Sequence, residues 1–278
     1  MTVIIANDGT ATVCSRRDID GCDDVAVTIG VVAVWLLVVS GVIALTAAVV
    51  PGLTPETRVA VAGRMQQLMV LSGFGALAVL TRGFLGSDWS SRYVADHTRS
   101  GLSPLLRLAG LWAGPEGSLL LFTFGVAVVA LLATWSARGE TAAVRRATQT
   151  VGSLISTGFA AVVARSASPF AQLRSPAIDG HGLQPVLEHP AMVWHPPLLY
   201  AGLIGVMLPS IVAAGQLLGR GSLRNRVSAT MIAVPSGLLA AGLATGARWA
   251  HVELGWGGYW AWDPIESAGL VAWLAAVT

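Results

Sequence analysis

A cluster of aromatic residues and glycines near the end of the sequence is the clearest candidate for chemistry. The segment 253–266 reads ELGWGGYWAWDPIE, and it places four aromatic rings within seven residues, at Trp256, Tyr259, Trp260 and Trp262. Glycines permit close backbone approach, and the rings offer wide apolar faces for stacking. Two interpretations of these residues stay open: an interfacial aromatic belt at a helix end, or a platform for a large flat ligand such as a porphyrin.

A histidine followed by two prolines is the second candidate. His195, Pro196 and Pro197 stand immediately before an apolar stretch. A residue before proline is disfavoured in helical geometry, and prolines fit the first turn of a helix. We therefore expect a helix to begin near residue 197, with His195 held at its outer boundary. The imidazole could ligate a haem iron, or it could simply bond a backbone carbonyl.

Both segments resemble those of the tryptophan-rich haem-handling proteins of cytochrome c biogenesis, and the CcmF-type cytochrome c haem lyases most closely. ELGWGGYWAWDPIES at 253–267 matches the WGxxWxWD signature, and HPPLLYAG at 195–202 is similar to a loop histidine segment of that branch. Further matches follow the family's order: YVADHT at 93–98, EGSLL at 116–120, SPF at 168–170, DG at 179–180 and LQPVL at 183–187. The chain is thus identified as a member of this branch, corresponding to its N-terminal part.

The resemblance implies a haem site and a reaction. His195 would be an axial ligand of haem b, which is held for addition of two apocytochrome c thiols across its vinyl groups. The substrate supplies the nucleophiles, so the protein's task is positioning, and no residue is assigned a catalytic role. For His97, a hydrogen bond that structures the loop and a place in the haem pocket both stay open. The candidate haem-binding residues are His195, Trp256, Gly257, Gly258, Tyr259, Trp260, Trp262, Asp263 and His97.

The sequence departs from the family's pattern in several places. Tyr259 stands where a Trp is usual, Ser267 where an Asn is usual, and Pro115 where a His is usual. His251 matches no family position, and is either an interfacial residue or a substitute ligand. The family's opposite axial histidine lies beyond this chain, so the resemblance predicts either one half of a split lyase or a truncated reading frame.

The composition predicts a membrane protein. The chain is 54% hydrophobic and 12% charged, whereas soluble domains carry about 25% charged residues. Backbone groups in lipid must be paired within the segment, which favours helices. We predict an all-α, polytopic membrane bundle with six full spans and the start of a seventh near Glu266, comprising a polar tail at 1–25 and a transmembrane haem-handling domain at 26–278. The predicted spans are 26–50, 59–81, 117–136, 147–165, 197–218 and 228–249.

Arginines in alternate short loops predict the orientation. The loops 51–64, 137–146 and 219–227 each carry two or three arginines, and such loops favour the cytoplasmic side. The histidines and the Trp-rich segment then face the periplasm from the cytoplasmic membrane. No run of basic residues in the sequence suggests that the chain binds nucleic acid.

The resemblance also implies partners. They are a haem chaperone, an apocytochrome c with its thiol-handling protein, and the C-terminal lyase half, in addition to membrane lipid. Two alternatives for the function stay open: a haem exporter of the CcsA or CcmC type, engaged in haem transport, and a haem-free assembly scaffold.

Overall fold

The computed structural model describes residues 16–222, 227–255, 258–260, 262 and 264–278, except for the side chains of 16–24, 264 and 265. These residues form ten α-helices and two short 3-10 helices, and no extended strand occurs within the described ranges. The all-α prediction is confirmed. The helices are α1 Arg16–Val49, α2 Pro55–Gly86, α3 Arg92–His97, α4 Pro104–Ala109, α5 Pro115–Ser136, α6 Ala142–Ser166, α7 Ala191–Gly205, α8 Met207–Leu218, α9 Ala229–Glu253 and α10 Pro264–Val277.

Six helical segments in the described part of the chain are long and apolar enough to cross a membrane, as the sequence predicts. Five spans correspond to α1 from Val25 onward, α2, α5, α6 and α9. The remaining one combines α7 and α8, and α10 is shorter. The chain is therefore a multi-pass membrane protein, while the division into a tail and one domain stays a prediction.

Polar side chains join α2, α5 and α6 inside the bundle. The Gln66 amide donates to the backbone oxygen of Gln149 and to the Ser153 hydroxyl, both at 3.3 Å, and its oxygen accepts from Thr134 at 2.7 Å. All four side chains are buried. Such interhelical hydrogen bonds replace the hydrophobic force that is missing between helices in lipid.

Glycines bring α7 and α9 into backbone contact. A Cβ atom added at Gly202 would lie 2.5 Å from the Cβ of Leu239, and one added at Gly242 would lie 2.8 Å from the backbone nitrogen of Leu199. Any larger residue at these positions would push the two helices apart. The second half of α7 therefore packs against the middle of α9.

Two loops, 87–114 and 167–190, cover one end of the bundle. Ser91 and Gln172 form an isolated antiparallel bridge between them, and the backbone nitrogen of His181 donates to the oxygen of Ala95 at 2.7 Å. Because α7 begins and α9 ends at this same end, we call it the loop end. The loops fix the approach of the chain to α7.

Candidate functional site

His195 lies inside a helix and not at its start. α7 begins at Ala191, so the prediction that the helix starts near residue 197, with the prolines in its first turn, is wrong. Pro196 has no N–H and leaves the oxygen of Met192 without its helical donor. The indole nitrogen of Trp112 donates to that oxygen at 2.8 Å. The helix tolerates the proline because a neighbouring side chain satisfies the freed carbonyl.

A backbone hydrogen bond fixes the tautomer of His195. Its Nδ1 lies 2.8 Å from the backbone oxygen of Gly242 on α9. A carbonyl oxygen only accepts, so Nδ1 carries the proton and the neutral ring keeps its lone pair on Nε2. No described residue hydrogen-bonds Nε2. Histidines that ligate metals are oriented by this kind of second hydrogen bond.

Gly246 and Trp249 hold the His195 ring on two sides. A Cβ atom at Gly246 would lie 2.3 Å from Cε1 and 2.9 Å from Nε2 of the ring, so the imidazole rests directly on the α9 backbone. The Trp249 ring is nearly parallel to the imidazole, at 16° and a centroid separation of 6.5 Å. Its indole nitrogen donates to the oxygen of Val186 at 3.2 Å. The imidazole therefore has a defined orientation at the loop end.

The Trp-rich segment forms two ring pairs after α9. Tyr259 stacks on His251 at 4.1 Å and 11°, while Trp260 and Trp262 meet edge to face at 5.7 Å. Trp262 has a left-handed backbone with φ of 59° and leaves 74% of its surface exposed. The indole nitrogen of Trp260 is buried and has no hydrogen-bond partner among the residues that the structure describes. Buried donors in proteins are nearly always hydrogen-bonded, so this indole N–H is expected to bind an acceptor.

The described candidate residues His195, Tyr259, Trp260 and Trp262 all lie at the loop end, and Gly258 directly precedes Tyr259 in the chain. The predicted site residues Trp256, Gly257 and Asp263 lie outside the described residues.

Contacts along α10 bring the Trp-rich segment to the level of His195. A Cβ atom at Gly269 would lie 3.1 Å from Leu243 and 3.9 Å from Leu199. Leu199 is one turn below His195 on α7, and Gly269 is likewise more than a turn below the start of α10. The segment that precedes α10 therefore lies beside the imidazole end of α7.

His189 provides a second connection between the loops of this end. Its Nδ1 accepts from the backbone nitrogen of Ala191 at 3.0 Å, and its Nε2 lies 3.5 Å from a carboxylate oxygen of Glu253. The residue therefore links the start of α7 to the end of α9.

The His97 ring contacts residues of its own loop. Its Nδ1 lies 2.9 Å from the backbone oxygen of Tyr93, and its ring packs on the Tyr93 ring at 4.3 Å. A Cβ atom at Gly114 would lie 2.5 Å from its Nε2. These contacts favour the loop-structuring alternative, and a role in the haem pocket stays a prediction.

Charged and polar groups clamp the two loops together. Arg99 binds both carboxylate oxygens of Glu188, and this contact raises the pKa of Arg99. The Ser100 hydroxyl and backbone nitrogen donate to Asp179 at 2.6 and 2.9 Å, and these bonds lower the pKa of Asp179. In the loop 87–114, burial of Tyr93 raises the pKa of its hydroxyl. The clamp restrains the loop from which α7 starts.

Sequence reasoning missed four residues that position His195: Trp112, Gly242, Gly246 and Trp249. The spacing of the two glycines, four residues apart in an apolar stretch, is a signal for close helix packing. It does not reveal which helix packs there or which side chain fills the gap. Nothing local in the sequence connects Trp112 to a proline more than eighty residues away.

Comparison with known proteins agrees with the resemblance. Residues 112–278 match the family model described as cytochrome C assembly protein. The probable cytochrome c-type biogenesis protein NrfE of Escherichia coli K12 is 41% identical, over 79% of this chain and 40% of that protein. CcmF of the same organism is 35% identical, over 74% of this chain and 32% of that protein. A solved structure of the cytochrome c haem lyase CcmF covers 97% of this chain and 43% of its own, with a TM-score of 0.68 and 25% identity. The chain therefore spans about two fifths or less of the length of these relatives.

Proposed function

Because the chain belongs to the cytochrome c assembly family and corresponds to the N-terminal part of a CcmF-type haem lyase, we propose that it holds haem b for attachment to apocytochrome c. His195 ligates the iron through Nε2. The observation that carries the proposal is the hydrogen bond from His195 Nδ1 to the oxygen of Gly242. It leaves the ligating nitrogen with its lone pair, which a neutral imidazole needs to bind iron.

The aromatic segment supplies the rest of the binding surface. The exposed faces of Tyr259 and Trp262 offer apolar area for a porphyrin. The buried Trp260 N–H, which has no acceptor among the described residues, could donate a hydrogen bond to the ligand. Trp256, Gly257 and Asp263, which lie outside the described residues, belong to the same proposal through the resemblance alone. Trp249 lies beside the His195 ring, and Gly258 and His97 belong to the proposal through the resemblance.

The proposed reaction needs orientation more than acid–base groups. Each cysteine thiol of the apocytochrome adds across one vinyl group, so that a carbon–sulfur bond forms and the thiol hydrogen passes to the adjacent vinyl carbon. The nucleophiles come from the partner. The work of this chain is to present one edge of the ligand at a fixed angle, which converts an encounter into a near-intramolecular reaction.

The wider setting is part of the same proposal. The site faces the periplasm from the cytoplasmic membrane, since loops that carry arginines such as Arg58, Arg138 and Arg145 lie at the opposite end of the bundle. The proposed partners are a haem chaperone, an apocytochrome c with its thiol-handling protein, and a C-terminal lyase half that brings the opposite axial ligand.

Coexpression tests the proposal. The chain is produced with the rest of a CcmF-type lyase and an apocytochrome c, and covalent haem is detected by peroxidase staining of a denaturing gel. His195→Ala should abolish the stained cytochrome band. His181→Ala is the matched control, because the His181 side chain is 79% exposed and its ring pairs with Asp96 at the surface. Wild-type staining in both variants would contradict the proposal. Staining that is lost without this chain but is unaffected by His195→Ala would favour a scaffold.

A further inference from the structure

Arg82 separates two hollows at the loop end of α2. On one side lies an open groove of about 780 Å³, lined by Phe74, Leu77, Leu85 and Phe124 among others. On the other side lies a cavity of about 560 Å³ beneath the loop layer. Arg82 borders both, its side chain is exposed, and it forms no hydrogen bond or ion pair with any residue that the structure describes. The two hollows therefore share one unpaired cation.

The position of Arg82 along α2 places it at the level of the lipid headgroups. The stretch between Arg64 and Arg82 contains no charged residue. At 1.5 Å per residue the two arginines are about 27 Å apart along the helix, close to the roughly 30 Å hydrocarbon thickness of a bilayer. Each guanidinium can therefore reach one headgroup layer.

The groove has the depth of a single leaflet. Phe74 lies about 12 Å from Arg82 along the axis of α2, which is near half of the hydrocarbon thickness. Between Thr81 and Phe74 the lining residues of α2 are apolar, and Phe124 of α5 lines the same groove. The groove therefore suits one acyl chain that runs from the headgroup level toward the midplane.

The cavity on the other side of Arg82 contains a carboxylate. Asp88 lines it together with Arg82, and the two side chains do not form an ion pair with each other. Oδ1 of Asp88 accepts from the backbone nitrogen and the hydroxyl of Ser90. Oδ2 has no recorded partner among the described residues. The cavity thus offers a cation and an anion that do not neutralise one another.

We propose that Arg82 and Asp88 form a binding site for a phospholipid with an ethanolamine headgroup. Arg82 binds the phosphate, which suits the forked donors of a guanidinium. Asp88 binds the ammonium through Oδ2, and an acyl chain occupies the groove beside Phe74 and Phe124. An anionic headgroup without an amine would meet the Asp88 carboxylate unfavourably. This site is separate from His195 and does not depend on the proposed function.

Lipid titration monitored by native mass spectrometry tests the site. The purified chain in neutral detergent is titrated with phosphatidylethanolamine, phosphatidylglycerol and phosphatidylcholine of identical acyl chains. We expect phosphatidylethanolamine to bind most tightly. Arg82→Gln should weaken it about tenfold or more, which is the loss of one charge-assisted hydrogen bond. Asp88→Asn should preserve the Ser90 contacts while removing the preference for ethanolamine over glycerol.

Arg92→Gln is the matched control, because Arg92 is an exposed arginine of the same loop end that contacts Asp96 and lines neither hollow. Its affinities should equal those of the wild-type chain. Equal affinity of the wild type for all three lipids would show nonspecific surface lipid and overturn the proposal. Tighter binding of phosphatidylglycerol, or displacement of the lipid by added haem, would overturn it as well. Thermal melting of each variant separates loss of binding from loss of fold.

Discussion

Gly246 is the position where a single methyl group should test the histidine geometry most sharply. In Gly246→Ala the new Cβ would lie 2.3 Å from Cε1 of His195 and 2.8 Å from its Nδ1. Ordinary contacts between such atoms begin at about 3.5 Å, so the ring must withdraw by about 1 Å. The hydrogen bond to Gly242, now 2.8 Å, would then be too long to form.

We expect Gly246→Ala to weaken haem binding by about ten- to a hundredfold, the usual cost of losing a hydrogen bond that orients a metal ligand. The assay is a haem titration of the purified chain, followed by the Soret band. Gly237→Ala is the control on the same helix, because a Cβ at Gly237 meets nothing within 4 Å. It should bind haem like the wild type.

A double variant shows whether the effect passes through His195. When His195 is already Gly, Gly246→Ala should cause no further loss, because the clashing ring is gone. A Gly246→Ala variant that binds haem as tightly as Gly237→Ala would refute the geometry. An equal further loss without the imidazole would show that Gly246 acts on the helix packing and not on the histidine.

Three further results are expected from the loop end. The lowered pKa of Asp179 means that its bonds with Ser100 stabilise the fold above the ordinary pKa of Asp and are lost as the pH falls through the lowered value; Asp179→Asn should remove this acid-side dependence from a melting curve measured against pH. Trp112→Phe leaves the Met192 oxygen without a donor and should lower the free energy of unfolding by about 1–3 kcal/mol, measured by thermal melting, and no change would show that water replaces the indole. Tyr93→Phe removes a buried hydroxyl that accepts from the Gly114 nitrogen at 3.1 Å and should lower the free energy of unfolding by about 1–3 kcal/mol. The loop 87–114 should then be cleaved faster by a protease, and an unchanged cleavage rate would contradict this prediction.

The spans were predictable because lipid imposes a simple rule on the sequence. A helix that crosses about 30 Å of hydrocarbon must be apolar over some twenty residues, and each of the six spans shows this directly. The ends were less certain, since α7 begins at Ala191 and not near residue 197. The local conformational preferences of Pro196 and Pro197 predict that α7 starts near residue 197. The Trp112 indole, distant in the sequence, permits the earlier one by pairing the Met192 oxygen.

The site was predictable only in its most unusual residues. His195 and the aromatic segment stand out because their composition is rare, and each lies at the loop end. The residues that orient the imidazole do not stand out, because Gly246 and Trp249 acquire their roles when α9 packs on α7. A glycine in an apolar stretch predicts close packing, whereas its partner is decided by the whole bundle.

The most direct test of the central claim, that Nε2 of His195 ligates haem iron, is the absorption spectrum of the purified chain with added haem. His195→Gly opens a space beside Gly246 that free imidazole can enter. We predict that this variant loses the Soret band of the wild type and regains it when imidazole is added. An unchanged band in His195→Gly without imidazole would contradict the claim.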